Sequence, residues 1–208
     1  MKTLIILLII IALGVVAYYA MPSLAALLTR LQSSARSTVS VPYHATLETS
    51  QGAIGLAFYP DAAPKIVENF IKLAKQGFYN GLSFHRVIPG FMIQGGDPNC
   101  ATKDGEDDKG ACGAGGPGYQ LPDEIDAASA LYKTGYKKGV VAMANSGPNT
   151  NGSQFFIMVA DYPLPPNYTI FGYVTSGQDV ADAISNVERN RNDRPLEVVV
   201  MKSVTIAE

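Results

Sequence analysis

The sequence predicts a mainly β domain, a closed antiparallel barrel capped by α-helices and preceded by an apolar N-terminal helix. Short alternating or continuous apolar segments recur from residue 43 onward, the signature of many strands rather than long helices. The 20 glycines and 13 prolines punctuate those segments with turns. Helical periodicity appears in only two stretches of this part, and they do not alternate regularly with the strands, which excludes a βαβ sheet and leaves an antiparallel barrel. A chain of 208 residues accommodates one sizeable core with an appendage. Sixteen basic against eighteen acidic side chains give a net charge of -2, so nothing global attracts a nucleic acid, and none is expected as a partner.

The appendage comes first. Residues 4–20 are almost wholly apolar, and after Met21-Pro22-Ser23 the apolar character resumes through residue 28. A membrane-spanning helix needs about 20 such residues. Lys2 supplies a short positive start, so residues 1–29 read as a signal peptide cleaved near Ser23 or Ala25, or as an uncleaved signal anchor. The run exceeds the usual core of a cleaved signal, about 7–15 residues, and that length favours the anchor. Lys2 on one flank and Arg30 and Arg36 on the other leave orientation open by charge alone. Residues 30–42, Ser/Thr-rich and aperiodic, read as a flexible linker, and residues 43–208 as the folded domain.

Within that domain, residues 44–49 and 53–59 alternate around Ser50-Gln51-Gly52, a hairpin signal. After Asp61, residues Val67, Phe70, Ile71 and Ala74 fall on one helical face, with Pro64 in the first turn and Gly77 as the stop. Further strands are expected at 84–87, 91–95, 139–144, 154–159, 169–174 and 197–206, with a second helix near 180–186. Residues 99–118 form a loop, first acidic (Asp104, Glu106, Asp107, Asp108) and then glycine-rich. Gly113, Gly115, Gly116 and Gly118 match G-x-G-x-x-G formally, but no strand precedes them and no helix follows, so a dinucleotide site is excluded. The acidic part lacks the spacing of a calcium loop and reads as solvated surface.

Two runs carry the chemistry. In Ser83-Phe84-His85-Arg86-Val87-Ile88-Pro89-Gly90-Phe91-Met92-Ile93-Gln94-Gly95-Gly96-Asp97 a single arginine stands among apolar and aromatic residues that cannot satisfy it. Such a charge is either a snorkelling surface residue or one held at the mouth of a pocket, and Phe91, Met92 and Gln94 close behind favour the pocket. The second run is Met143-Ala144-Asn145-Ser146-Gly147-Pro148-Asn149-Thr150-Asn151-Gly152-Ser153-Gln154-Phe155-Phe156-Ile157. Together, in this order, the runs resemble the two signatures of the cyclophilin family of peptidyl-prolyl cis/trans isomerases, and the resemblance extends from about Tyr43 to the C-terminus.

The resemblance implies an eight-stranded barrel with a helix at each end. It also implies an enzyme that accelerates rotation about X-Pro bonds in proline-containing polypeptides and assists their folding, with no cofactor. Arg86 matches the catalytic arginine of the family. Phe91, Met92, Phe156 and Leu164 would wall the proline ring, Gln94 and Asn145 would bond the substrate backbone, and Ile88, Ala144 and Gln154 would complete the groove. Tyr168 stands where many eukaryotic members carry a histidine, and the chain has no tryptophan, which implies weak sensitivity to cyclosporin. His85 beside Arg86 reads as a structural histidine, because isomerisation needs no proton shuttle.

Cys100 and Cys112 share one short loop and read as a disulfide ring, as free thiols or as part of a metal site. Zinc would need more ligands than the pair offers and the only histidines are His44 and His85, so no metal is assigned and the disulfide is carried forward as the candidate. A disulfide requires an oxidising compartment. It agrees with an apolar leader, and both point to a membrane-anchored or exported protein whose isomerase domain is extracytoplasmic.

Overall fold

The computed structural model describes residues 43–100 and 112–207. The expected N-terminal helix, the linker and the acidic residues from Asp104 to Asp108 lie outside the described residues. Among the described residues no helix is long and apolar enough to cross a membrane.

The strands are β1 (His44–Thr49), β2 (Gly52–Phe58), β3 (Phe84–Ile88), β4 (Met92–Gly95), β5 (Val140–Met143), β6 (Phe155–Met158), β7 (Ile170–Ser176) and β8 (Met201–Ala207). They form one eight-stranded sheet in the order β3-β4-β6-β5-β7-β2-β1-β8, with antiparallel pairing in every ladder. The expected closed barrel is corrected: no ladder joins the edge strands β3 and β8. They meet at a seam of an isolated bridge, Ser83 with Val200, beside the bonds Phe84 N–H to Val199 O (2.9 Å) and Gly81 N–H to Met201 O (2.8 Å). The physical reason lies in the approach to β8. Residues 197–200, expected as strand, run irregularly past β3, and regular pairing begins only at Met201.

Helix α1 (Pro64–Lys75) follows the expected apolar face, burying Ile66, Val67, Phe70, Leu73 and Ala74. Phe70 is its principal anchor, with ring centroids 5.3 Å from Phe58, 4.9 Å from Tyr79, 5.5 Å from Phe155 and 5.4 Å from Phe171. These contacts seat the helix against the interior cluster of the sheet, where each fully buried aromatic contributes about 1.5–3 kcal/mol. The helix does not cap itself: Ala63 at the N-cap offers no side-chain acceptor. Glu124 does so from across the fold, its carboxylate accepting the Lys65 N–H at 3.2 Å and the Ile66 N–H at 2.9 Å. Two orphan donors and the positive end of the helix dipole are satisfied together.

The other helices are α2 (Ala130–Thr134) and α3 (Gln178–Ser185), the latter burying Ala181 and Ile184. α2 was not expected from the sequence. It is a single capped turn, too short for periodicity, in which the Ser129 hydroxyl accepts the Tyr132 N–H and Gly135 ends the helix.

Candidate active site

The two faces of the sheet separate the core from the site. Val87, Ile93, Val141, Met143, Phe155 and Ile157 belong to the interior cluster, whereas Met92, Ala142, Phe156, Met158 and Ile170 form a second cluster with Tyr136. These are alternate residues of the same strands, as the period of two requires. The register carries the second face across the sheet: Arg86 opposes Gln94, Gln94 opposes Phe156, Phe156 opposes Ala142, and Ile88 opposes Met92, which opposes Met158.

A bulge puts Arg86 on that face. Phe84 pairs with Gly95 and Arg86 with the next residue, Gln94, so His85 is the extra residue in β3. Phe84 and Val87 therefore both point inward although three positions apart, and Arg86 and Ile88 face the outer cluster. Arg86 is half-exposed, and its Nε lies 4.0 Å from the Asp193 carboxylate, which also receives Arg189 at 3.5 Å. Asp193 anchors this arrangement through its carbonyl, which accepts the Val87 N–H at 2.8 Å. No local sequence signal links Asp193 to β3.

Around Arg86 the structure gathers an apolar shelf and a polar cavity. On the shelf, Phe156 and Met92 are buried, and Phe91, Ile88, Leu164, Ala144 and Tyr168 pack against them, half-buried. Phe156 meets Tyr168 edge to face at 5.5 Å, and Phe91 lies 4.4 Å from Tyr162. Tyr136 locks the Tyr168 main chain, donating to its carbonyl at 2.7 Å and accepting its N–H at 3.1 Å. Burial pushes the Tyr136 hydroxyl up to about 12. Tyr132 and Tyr136 were missed by the sequence reading, since a tyrosine in a one-turn helix or the loop after it carries no signal of its partner.

The polar cavity, about 540 Å³, is lined by Gln94, Ala144, Asn145 and Gln154 and by the glycine-rich loop from Gly113 to Gly118. Gln94 Nε2 donates to Gln154 Oε1 at 2.9 Å. Gln154 Nε2 in turn lies 3.1 Å from Asp97 Oδ2, 3.0 Å from Gly113 O and 2.9 Å from Gly115 O. Asn145 is committed to its own surroundings, Nδ2 donating to Asn167 O at 2.9 Å and Oδ1 accepting the Gly147 N–H at 3.2 Å. Asp97, absent from the sequence-based site, is the hub of the loop: fully buried, it accepts the N–H groups of Asn99 (2.7 Å), Gly113 (2.7 Å) and Gly115 (2.8 Å). Just before it, Gly96 adopts φ 88° with its α-carbon against the Ser153 carbonyl, where any side chain would clash.

Cys100 and Cys112 are joined in a disulfide at the root of the same loop, with Cα atoms 5.1 Å apart. His85 stands beside them, buried, not in the groove. Burial holds its imidazole toward the neutral form, reinforced by Arg194 and Arg86 and opposed by the Asp97 charge and by a main-chain hydrogen bond at Ser83.

The structure thus sets an arginine beside a hydrophobic shelf and a lane of amides, and comparisons with known proteins identify the family. The family "Cyclophilin type peptidyl-prolyl cis-trans isomerase/CLD" matches residues 44–206. The chain belongs to the cyclophilin family. It is 44% identical over 182 residues to a probable peptidyl-prolyl cis-trans isomerase A of Mycobacterium leprae, covering 78% of this chain and 91% of that protein. It is also 44% identical over 165 residues to a peptidyl-prolyl cis-trans isomerase of Schizosaccharomyces pombe, covering 77% and 97%. Among solved structures, a cyclophilin-type isomerase of Cryptosporidium parvum superposes with TM-score 0.69 at 30% identity over 80% of this chain and 98% of that one. A second structure of that protein, determined in the presence of the dipeptide Ala-Pro, gives TM-score 0.68. This cyclophilin is therefore a peptidyl-prolyl cis/trans isomerase.

Proposed function

We propose that Arg86 is the catalytic residue and that the substrate is an extended proline-containing polypeptide lying along the shelf and cavity. The supporting observation is the cross-strand row Arg86–Gln94–Phe156, which sets one cation, one amide and one apolar floor side by side. Rotation about the imide bond is opposed by delocalisation of the nitrogen lone pair, a barrier of about 18–20 kcal/mol. A guanidinium aimed at the prolyl nitrogen stabilises the lone pair that localises there as the bond twists, and it needs no proton transfer.

Uncatalysed isomerisation takes about 10–100 s, so a turnover of ~10²–10³ per second requires roughly 4–7 kcal/mol of differential stabilisation. One charge-assisted hydrogen bond supplies about 1.5–3 kcal/mol of this. The rest comes from holding the twisted chain: the pyrrolidine ring against Phe91, Met92, Phe156 and Leu164, with Tyr168 and Ile88 at the margins. Gln94, pinned by Gln154, keeps its carbonyl oxygen for a substrate N–H. Asn145, whose side chain is already engaged, serves through its main chain, and Ala144 and Gln154 complete the wall.

Residues 1–29 act as a signal anchor or signal peptide and 30–42 as a tether, placing the domain of residues 43–208 outside the cytoplasm, where it assists the folding of exported chains. The apolar run and the disulfide support this location. The decisive test of catalysis compares the native chain with Arg86→Ala on an Ala-Pro peptide by exchange NMR. Loss of one charge-assisted bond lowers kcat/KM by about 10- to 150-fold with the peptide still bound. Equal rates for both proteins remove Arg86 from the mechanism.

A further inference from the structure

Three metal-ligating side chains meet behind the groove, and prolyl isomerisation uses none of them. One ring nitrogen of His85 and the Sγ atoms of Cys100 and Cys112 all lie within 4.8 Å of one another. His85 is 7% exposed and, beyond the main chain of Ser83, its ring nitrogens find no well-formed hydrogen-bond partner among the described residues. A buried polar group left unpaired costs about 1–3 kcal/mol, so its retention needs a reason. The β3 bulge supplies the geometry: it takes His85 out of the ladder and leaves its ring against the sulfurs.

We propose that, when the disulfide is reduced, Cys100, Cys112 and His85 form a binding site for a thiophilic cation, Zn²⁺ or Cu⁺. A dithiol reductant delivers two electrons and two protons to the S–S bond, leaving two thiols and itself becoming a disulfide. The incoming cation displaces the two thiol protons to solvent, and the neutral imidazole adds a lone pair without losing a proton. Two thiolates and one imidazole suit Cu⁺ as they stand, and leave Zn²⁺ one position for water.

With Zn–S near 2.3 Å and Zn–N near 2.0–2.1 Å, tetrahedral ligand atoms sit roughly 3.6–3.8 Å apart, so after reduction the two sulfurs part from about 2 Å to about 3.8 Å while the imidazole closes by at most about 1 Å. The movable end is Cys112, which is half-buried. Cys100 is fully buried and fixed by its carbonyl, which accepts the Ser83 N–H at 3.2 Å and the Ser83 hydroxyl at 2.7 Å. Oxidised, the loop is held by a covalent bond; reduced, it is held by a metal.

The full chain in detergent, reduced anaerobically with a phosphine and desalted, is titrated separately with Zn²⁺ and Cu⁺, with Co²⁺ as the spectroscopic probe. One equivalent of metal per chain is retained after gel filtration, with sulfur-to-cobalt charge-transfer absorption, and the oxidised chain retains none. Cys112→Ser loses stoichiometric retention, and His85→Ala weakens it by more than about tenfold, the loss that outer-shell partners alone produce. Circular dichroism checks that each variant is folded; should His85→Ala fail to fold, Cys112→Ser carries the test. No retention by the reduced chain, equal retention by the oxidised chain, or unchanged affinity in a folded variant overturns the site.

Discussion

Replacing Asp97 by asparagine keeps its volume and removes its charge, and the consequences follow from four distances. The carboxylate takes the Asn99 N–H on Oδ1 and the Gly113 N–H, Gly115 N–H and Gln154 Nε2 on Oδ2. Asparagine must present an NH₂ group to one set of these donors. It does least harm in the place of Oδ1, where it opposes the Asn99 N–H and loses one charge-assisted bond, about 1–3 kcal/mol. The other three bonds fall from charged to neutral strength, about 1 kcal/mol each, partly offset by burying no charge. The net loss is about 3–4 kcal/mol, which lowers Tm by about 6–15 °C at this chain size. Thermal unfolding of the non-reduced variant reads the stability. Isomerisation of an Ala-Pro peptide reads the groove, where kcat/KM falls through KM as Gln154 loses its anchor and Gln94 its partner. A Tm shift below about 2 °C with unchanged kinetics would refute Asp97 as the hub.

Glu124→Ala uncaps α1 and costs about 1–2 kcal/mol, measured by urea unfolding, while Glu124→Gln recovers part of it. Tyr136 has its hydroxyl raised in the folded protein, so the unfolded chain ionises first as pH rises through 10.0. Stability is complete below that value and declines up to about 12, by at most about 1.4 kcal/mol per pH unit from this group. Tyr136→Phe reduces that alkaline slope, and an unchanged slope would show that another group carries it.

Local patterns made much of this molecule legible. The β1–β2 hairpin and the apolar face of α1 depend on neighbours close in sequence, so strand and helix periodicity are enough to place them, whereas in the first signature run the bulge at His85 breaks the alternation. The unexpected features depend on partners far apart. Glu124 caps a helix from beyond strands β3 and β4, 59 residues from Lys65, and Asp193 reaches Arg86 from far along the chain. Asp97 lies in plain view at the end of the first signature, yet nothing local says that three main-chain donors converge on it. The open seam had the same cause: apolar content promised a strand over residues 197–206, but pairing depends on how the chain arrives at its neighbour.

The bulge at His85 makes β3 intolerant of a change in length. Removing a single residue there restores simple alternation and exchanges inside for outside: either Phe84 is expelled toward solvent or the guanidinium is driven into an oily interior. Point substitutions in this strand can be absorbed one at a time. An insertion or deletion shifts the whole frame, and it loses the active face and the core together.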